Sequence, residues 1–257
     1  MKPNLVRQKI KAGEATIGSF MGLGSPHVAG LMAHAGYDWL VIETEHNAID
    51  VGQVEHMLME IGATDTVPIV RVPPKDPIFI QRVLDIGAKG IVYPLIKTAE
   101  DAAWVVSQTR YPPEGVRGFG PLRASNYNHE ITEYFDTAND NIIVSFIIET
   151  KEAVENIEEI ASVPGVDGFF MGQCDLSLSM GLGHPMKFNE YQEIEDAVGK
   201  VLKAAKKNGV GTGMNVPTPE SLIQRRKEGH TLLSYGPEYA VMMNAIAIGI
   251  NAFRDGS

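Results

Sequence analysis

One phrase recurs along the chain: a helical run closes on glycine, and a short apolar strand follows. Gly36 precedes residues 38–43, Gly87 precedes 90–95, Gly165 precedes 166–171, Gly209 precedes 210–214 and Gly229 precedes 231–235. Glycine enters the left-handed conformation without a steric cost, which ends a helix and turns the chain toward the next strand. The apolar runs 16–20, 67–71 and 142–149 bring the number of strands to eight. Most are near-continuous in Val, Ile, Leu and Phe, the pattern of strands covered on both faces. Helical stretches alternate with them at 50–62, 98–108, 152–161, 191–206 and 217–228. In the first of these Val51, Val54, Met57, Leu58 and Ile61 fall on one stripe. Thr98 and Thr150 stand where helix N-caps are needed. Eight strand–helix units predict a TIM-type (β/α)8 barrel over residues 1–257 as one α/β domain, ahead of a doubly wound open sheet. The longest irregular stretch, 111–141, is rich in Pro, Gly and Asn, and a connection of that length is more often functional than idle.

Charge and cysteine usage remove several function classes. A net charge of -10 argues against a nucleic-acid or anionic-membrane surface. Cys174 is the only cysteine, which rules out an intrachain disulfide framework and any multi-cysteine zinc or iron–sulfur site. Met1-Lys2-Pro3-Asn4 lacks the apolar stretch of a signal peptide. The most apolar segment, 239–253, is short for a membrane span and is interrupted by Asn244 and Asn251. The expectation is a cytoplasmic protein without membrane or nucleic-acid partners, in which 239–253 is a buried helix.

In a parallel barrel the chemistry sits where strands end and the following loops begin. Strand two exits into Glu43-Thr44-Glu45-His46, strand three at Arg71, strand five at Glu149, and strand six into Gly172-Gln173-Cys174-Asp175. Glu149 and Asp175 form a pair of hard oxygen ligands suited to Mg2+, Mn2+ or a similar octahedral ion. A carboxylate directly after an apolar strand needs compensation if it is buried. His46 suits a general base near neutral pH, and Asp85 is placed to orient it. Arg71 is a fixed cation on a strand, able to stabilise an enolate or clamp a carboxylate. The turn from Gly172 to Asp175 offers free amides to a substrate carboxylate. Cys174 reads as a small pocket-lining residue, since no base is assigned to it. Lys97 is the best-placed lysine for a Schiff base, although a solvated side chain is the plainer reading. Met21-Gly-Leu-Gly24 and Met180-Gly-Leu-Gly183 lack the full dinucleotide fingerprint and read as turns.

The segments Asp38-Trp-Leu-Val-Ile-Glu-Thr-Glu-His46, Val67-Pro-Ile-Val-Arg-Val72, Tyr111-Pro-Pro-Glu-Gly-Val-Arg-Gly-Phe-Gly120, Ile148-Glu-Thr150 and Asp175-Leu-Ser177 stand in an order that resembles the HpcH/HpaI aldolases. These are class II, metal-dependent pyruvate aldolases, and the resemblance runs from about Gly18 to the last helix. It implies a (β/α)8 barrel whose final helix is exchanged with a neighbouring subunit, in dimers that assemble into hexamers. It implies Glu149 and Asp175 as ligands of Mg2+, Mn2+ or Co2+, His46 as base, Asp85 as its partner and Arg71 as the enolate stabiliser. The turn at Gly172, Gln173, Cys174 and Asp175 corresponds to the site of the pyruvate carboxylate. Phe119 corresponds to a loop position that approaches a neighbour's active site. The implied reaction cleaves or forms the C3–C4 bond of a 4-hydroxy-2-oxo acid, with pyruvate and an aldehyde as the other side.

Three departures bear on specificity. The usual Asp-Gly-Glu-His is here Glu43-Thr44-Glu45-His46, and the usual Gly-Pro-Ala-Asp or Gly-Pro-Ser-Asp is Gly172-Gln173-Cys174-Asp175. A glutamine that touches substrate in the family is replaced by Ile147. The lost amide removes a polar contact and turns the expectation toward a different, small apolar or aromatic aldehyde. Competing readings are oxaloacetate decarboxylation through the same enolate, a class I aldolase using Lys97, a phosphosugar isomerase and a non-catalytic barrel. No glycine-rich phosphate cup follows strands seven and eight, which disfavours the isomerase.

Overall fold

The computed structural model describes residues 3–256. Its strands are β1 (Thr16–Met21), β2 (Trp39–Glu43), β3 (Val67–Arg71), β4 (Gly90–Tyr93), β5 (Ile143–Ile148), β6 (Gly168–Met171), β7 (Gly211–Gly213), β8 (Asn215–Val216) and β9 (Leu232–Tyr235). All pairings are parallel, in the order β7-β6-β5-β4-β3-β2-β1-β9-β8. β7 and β8 are two halves of the expected seventh strand, separated at Met214. Thr231 N–H donates to the Thr212 carbonyl at 2.8 Å and Ser234 N–H to the Met214 carbonyl at 3.1 Å. Those bonds tie the last strand to both halves and close the sheet into a barrel.

Helices surround it: α1 (Leu5–Lys11), α2 (Pro26–His34), α3 (Val51–Ile61), α4 (Pro77–Asp85), α5 (Ala99–Thr109) and α6 (Ile131–Asn141) in the first half. The second half carries α7 (Lys151–Glu155), α8 (Ile157–Ala161), α9 (Gln173–Ser179), α10 (Gln192–Asn208), α11 (Pro219–Glu228) and α12 (Glu238–Asp255). The glycines at the five expected helix exits, 36, 87, 165, 209 and 229, all have positive φ. Thr98 and Thr150 accept from the backbone N–H groups of Asp101 and Ala153, as caps should. The expected helix 152–161 is broken at Asn156 into α7 and α8. The stretch 111–141 is irregular only to residue 130. Its last part forms α6 because Tyr134 and Ala138, one turn apart, bury a common face. α1 was not legible from apolar periodicity; the Asn4 side chain caps it by accepting from Arg7 N–H at 3.1 Å.

The strands alternate strictly between two cores. Trp39, Val41, Val67, Ile69, Ile143, Ile147, Phe170 and Leu232 pack inside the barrel. Leu40, Ile42, Val70, Val144, Phe146, Ile148 and Phe169 pack outward against the helices. With both faces buried, the strand sequences read as continuous apolar runs rather than alternating ones. Phe20, Trp39 and Phe170 meet edge to face inside the barrel, at centroid separations of 5.3–6.3 Å.

His230, just before β9, is 1% exposed. Its Nδ1 lies 3.0 Å from Thr212 Oγ1, and its Nε2 has no hydrogen-bond partner among the described residues. Burial, with Arg225 and Lys206 nearby, lowers its pKa from 6.5 to about 4, while Glu228 and Glu195 partly oppose the shift. The neutral imidazole is therefore favoured in the folded state. Its contribution is complete above pH 6.5 and is lost as pH falls through about 4. The loss is about 3 kcal/mol at 1.36 kcal/mol per pKa unit. Between pH 7 and pH 4 the Tm of the wild type should fall more steeply than that of His230→Gln, and parallel curves would remove His230 from the acid response.

Candidate active site

The strand alternation that fills the barrel also aims its upper rim. In β2, Trp39 and Val41 face inward, so Glu43 is the next inward residue. In β3 the inward series Val67 and Ile69 continues to Arg71. In β5, Ile143 and Ile147 are followed by Glu149, one step past the strand. Parallel register then makes neighbours: Glu43 pairs with Arg71, and Ile148 pairs with Met171. Gly172 N–H donates to the Ile148 carbonyl, which brings that backbone against Glu149. A Cβ at Gly172 would stand 2.7 Å from Glu149 Cβ and 2.9 Å from Ile147 Cγ2. Only glycine fits there.

Arg71 is the centre of the rim. Its Nη1 meets Glu43 Oε2 at 2.9 Å, its Nη2 pairs with Glu45, and Glu149 Oε2 lies 3.7 Å from Nη2. Arg71 Nε is buried and has no hydrogen-bond partner among the described residues. Glu43 Oε1 accepts from Glu45 N–H at 2.8 Å and His46 N–H at 3.3 Å, so the same carboxylate shapes the loop that carries His46. Glu149 is 3% exposed, and its Oε1 accepts from Leu95 N–H at 2.7 Å. Leu95 adopts a left-handed φ of 57° to present that N–H, a conformation costing about 1–2 kcal/mol in a non-glycine residue. Burial pushes the pKa values of Glu149 and Glu45 up; Arg71 opposes the shift in both, and Asp175 adds to it.

A cavity of about 380 Å3 opens over these groups. Glu43, His46, Arg71, Glu149, Gly172 and Asp175 line it. His46 is the exposed member, with its side chain 64% accessible and Nε2 3.6 Å from Glu45 Oε2. Five of the expected site residues thus converge: His46, Arg71, Glu149, Gly172 and Asp175. Gln173 is buried in the first turn of α9 and, like Cys174, does not line the cavity. Burial, aided by Asp175, raises the Cys174 thiol pKa, which keeps it protonated and a weak nucleophile. Lys97 is half exposed, pairs with Glu152 at 3.5 Å and lies outside the cavity. Asp85 pairs with Arg117 at 2.7 Å and does not bond to His46 within the chain. Arg117 sits 4.6 Å over the Tyr111 ring. Phe119 is 60% exposed, packs against Tyr111 and Phe135, and does not enter its own chain's cavity.

Sequence reasoning missed Phe20, Asn47, Phe170, Asn215 and Tyr239, which also line the cavity. Asn47 directly follows His46. Asn215 continues the inward alternation of the seventh strand one residue beyond the apolar run 210–214, where the sequence carries no strand signal. Tyr239 belongs to α12, whose first residue, Glu238, accepts from Gly22 and Leu23 N–H at 2.6 Å each and holds the helix start at the rim.

Glu43, Glu45 and Glu149 surround Arg71 and Asp175 lines the same cavity, so full ionisation would leave four negative charges against one positive. A divalent cation would offset that excess, and the donor set is of hard oxygen. No group of three or more His, Cys, Asp or Glu forms a complete cage among the described residues. Two carboxylates with the remaining positions left to water and substrate are how Mg2+ is commonly held, so Glu149 and Asp175 fit such an ion.

A closed parallel barrel with charged side chains gathered at the carboxyl ends of its strands has the layout of a (β/α)8-barrel enzyme. The model of the HpcH/HpaI aldolase/citrate lyase family matches residues 16–245, and the chain belongs to that family. It is 34% identical over 253 residues to a 5-keto-4-deoxy-D-glucarate aldolase of Klebsiella pneumoniae subsp. pneumoniae, covering 98% of this chain and 97% of the relative. It is 41% identical over 210 residues to a 4-hydroxy-2-oxo-heptane-1,7-dioate aldolase of the same organism, covering 80% and 79%. The crystal structure of an HpcH/HpaI aldolase/citrate lyase family protein from Burkholderia cenocepacia J2315 superposes with a TM-score of 0.91 at 34% identity, over 98% and 99% of the two chains. The protein is a carbon–carbon lyase of the aldolase type. No helix among the described residues is long and apolar enough to cross a membrane.

Gly172→Ala should lower stability by about 1–3 kcal/mol through overpacking and abolish lyase activity by displacing Glu149. Gly199→Ala, in α10 with nothing within 4 Å, is the control and should leave Tm unchanged or higher. Equal Tm values for the two variants would contradict the tight contact at Gly172.

Proposed function

We propose that the protein cleaves, or in reverse forms, the C3–C4 bond of a 4-hydroxy-2-oxo acid, giving pyruvate and an aldehyde. The observation that carries this reading is one cavity holding a base, an arginine with a free buried donor, and two carboxylates on adjacent strand ends. Glu149 and Asp175 are the residues that would hold a divalent cation such as Mg2+, Mn2+ or Co2+; when bound, it would supply Lewis-acid polarisation of the 2-oxo group. The backbone from Gly172 to Asp175 borders the position of the substrate carboxylate. His46 removes the proton from the C4 hydroxyl. The C4–O bond becomes the aldehyde carbonyl as the C3–C4 bond breaks, and its electron pair passes into the pyruvate enolate. Arg71 stabilises the enolate oxygen, and protonation at C3 completes pyruvate. Exposure of His46 suits proton exchange with water. Asp85 and Phe119, outside the cavity of their own chain, are the groups to be offered to a neighbouring subunit, Asp85 as partner of its His46.

α12 supports an assembly in which it packs on a second copy. The helix expected to be buried at 239–253 is instead exposed, because its own chain leaves it uncovered beyond its start: only Glu238 of its 18 residues is buried, while Ile248 and Phe253 are 73% and 88% exposed. An apolar helix face of this length is a contact surface rather than a solvated one. The reading is a dimer built on exchanged α12 helices and a hexamer of three such dimers.

Two measurements check these assignments. Pyruvate release from 4-hydroxy-2-oxo acids should stop after EDTA treatment and return with Mg2+, Mn2+ or Co2+. Glu149→Gln and Asp175→Asn should not recover it, and Arg71→Ala should lower kcat by about 10²–10³-fold, the usual size for a lost oxyanion donor. Full chelator-resistant activity would send the mechanism to Lys97. Light scattering should give a multiple of 28.0 kDa, shifted toward the monomer by Ile248→Glu together with Phe253→Glu; an unshifted mass would exclude α12 from the interface.

A further inference from the structure

The cavity is divided by charge, and the division bears on which aldehyde it accepts. Every ionised group assigned above lies at the upper layer of the barrel. One layer below, the inward positions of β1, β5 and β6 are Phe20, Ile147 and Phe170, all lining the cavity. Phe20 and Phe170 hold one another edge to face at 5.3 Å, so this wall is a packed surface. Pro237 and Tyr239, beyond the strand next to β1, add further apolar surface, and Asn47 and Asn215 are uncharged polar groups of the lining. Asn215 Oδ1 already accepts from Ser234 Oγ–H at 2.5 Å.

Among the described residues, Arg71 is the only lysine or arginine lining the cavity. Both of its Nη atoms are engaged by Glu43 and Glu45. Beyond Arg71, of which only Nε is unpaired, a second carboxylate or a phosphate on the far end of the substrate would meet no lysine or arginine among the described residues that line the cavity. It would face the wall of Phe20, Ile147 and Phe170 or the acidic group of Glu43, Glu149 and Asp175. Placing an anion against an apolar surface without a partner is costly, and placing it beside carboxylates adds repulsion. The 2-oxo acid end of the substrate meets neither problem, because its carboxylate is the group that the Gly172–Asp175 turn and a bound cation would receive.

We infer that the aldehyde half of the substrate is uncharged: an alkyl, aryl or hydroxyalkyl aldehyde without a carboxylate or phosphate. Ile147, Phe20 and Phe170 are the specificity-determining surface, and Ile147 is decisive because it is the inward residue directly beneath Glu149 and beside Gly172. This rests on the aldolase reading above.

The test compares two substrates of equal chain length on the wild-type enzyme with Mg2+, Mn2+ or Co2+: 4-hydroxy-2-oxoheptanoate and 4-hydroxy-2-oxoheptane-1,7-dioate. Pyruvate release should favour the monoacid in kcat/KM by about tenfold or more, the discrimination that one unpaired charged group supports, with most of the difference in KM. Binding gives an independent readout. 2-Oxoheptanoate, which lacks the C4 hydroxyl and cannot be cleaved, should raise Tm at lower concentration than 2-oxoheptanedioate does. Tyr239→Arg, a change at the half-exposed rim, should move both preferences toward the diacid. Equal or better turnover and binding of the diacid by the wild type would overturn the inference while leaving the aldolase reading intact. Cleavage of neither acid under any of the three metals would overturn the aldolase reading and the inference with it.

Discussion

A single buried guanidinium organises the catalytic rim. Arg71 lies among Glu43, Glu45 and Glu149, and an arginine at that depth is tolerable only with such partners. The dependence is mutual. Glu43 accepts the backbone N–H groups of Glu45 and His46, so Arg71 fixes, through Glu43, the loop that delivers the histidine. Glu149 in turn holds Leu95 in a left-handed conformation and so shapes the start of the following loop. Strands β2, β3 and β5 are joined at their carboxyl ends by charge as well as by their neighbours' hydrogen bonds.

The barrel beneath supplies what the rim needs. Its interior is apolar and close-packed, from Trp39 and Phe20 to Phe170, so the charged residues have nowhere to relax downward. Its strand pleat alternates with period two and its register is set by burial on both faces, so each strand's last inward residue lands on the same rim. Glycine at 172 lets one strand end press against the next where any side chain would collide. Rigid strands thus carry Glu43 and Arg71, with Glu149 and Gly172 immediately beyond strand ends. The exposed loop carries His46, the group proposed to exchange a proton with solvent. α12 extends the same logic outward: Glu238 anchors its start at the rim, and the rest of its apolar surface is left uncovered by its own chain.

Much of this was legible before any coordinates. Eight strand–helix units, five of them entered through a glycine helix exit, dictate a closed parallel barrel, because apolar-on-both-faces strands need helices around them. The barrel then singles out strand exits, which is how His46, Arg71, Glu149, Gly172 and Asp175 could be named from order alone. Errors fell where local pattern is weakest. Asn156 interrupts a helix whose apolar spacing runs through the break. Tyr134 and Ala138 form a helical face inside a segment whose Pro and Gly content hides it. Gly211 and Gly213 give the seventh strand little apolar signal, so the pattern does not reach Asn215.

The sequence by itself determined the architecture and the roster of strand-end residues, since both follow from periodicity, glycine placement and the rule that parallel strands present their carboxyl ends together. Only the tertiary structure decided who touches whom. It placed Glu45 on Arg71, bonded Glu149 to Leu95, turned Asp85 toward Arg117 instead of its own chain's His46, and left Lys97 in solvent. It also brought Phe20, from the first strand, against Ile147 and Phe170 of the paired fifth and sixth strands in one apolar wall. Such contacts depend on barrel closure and register between distant segments, and no local stretch of sequence carries that information.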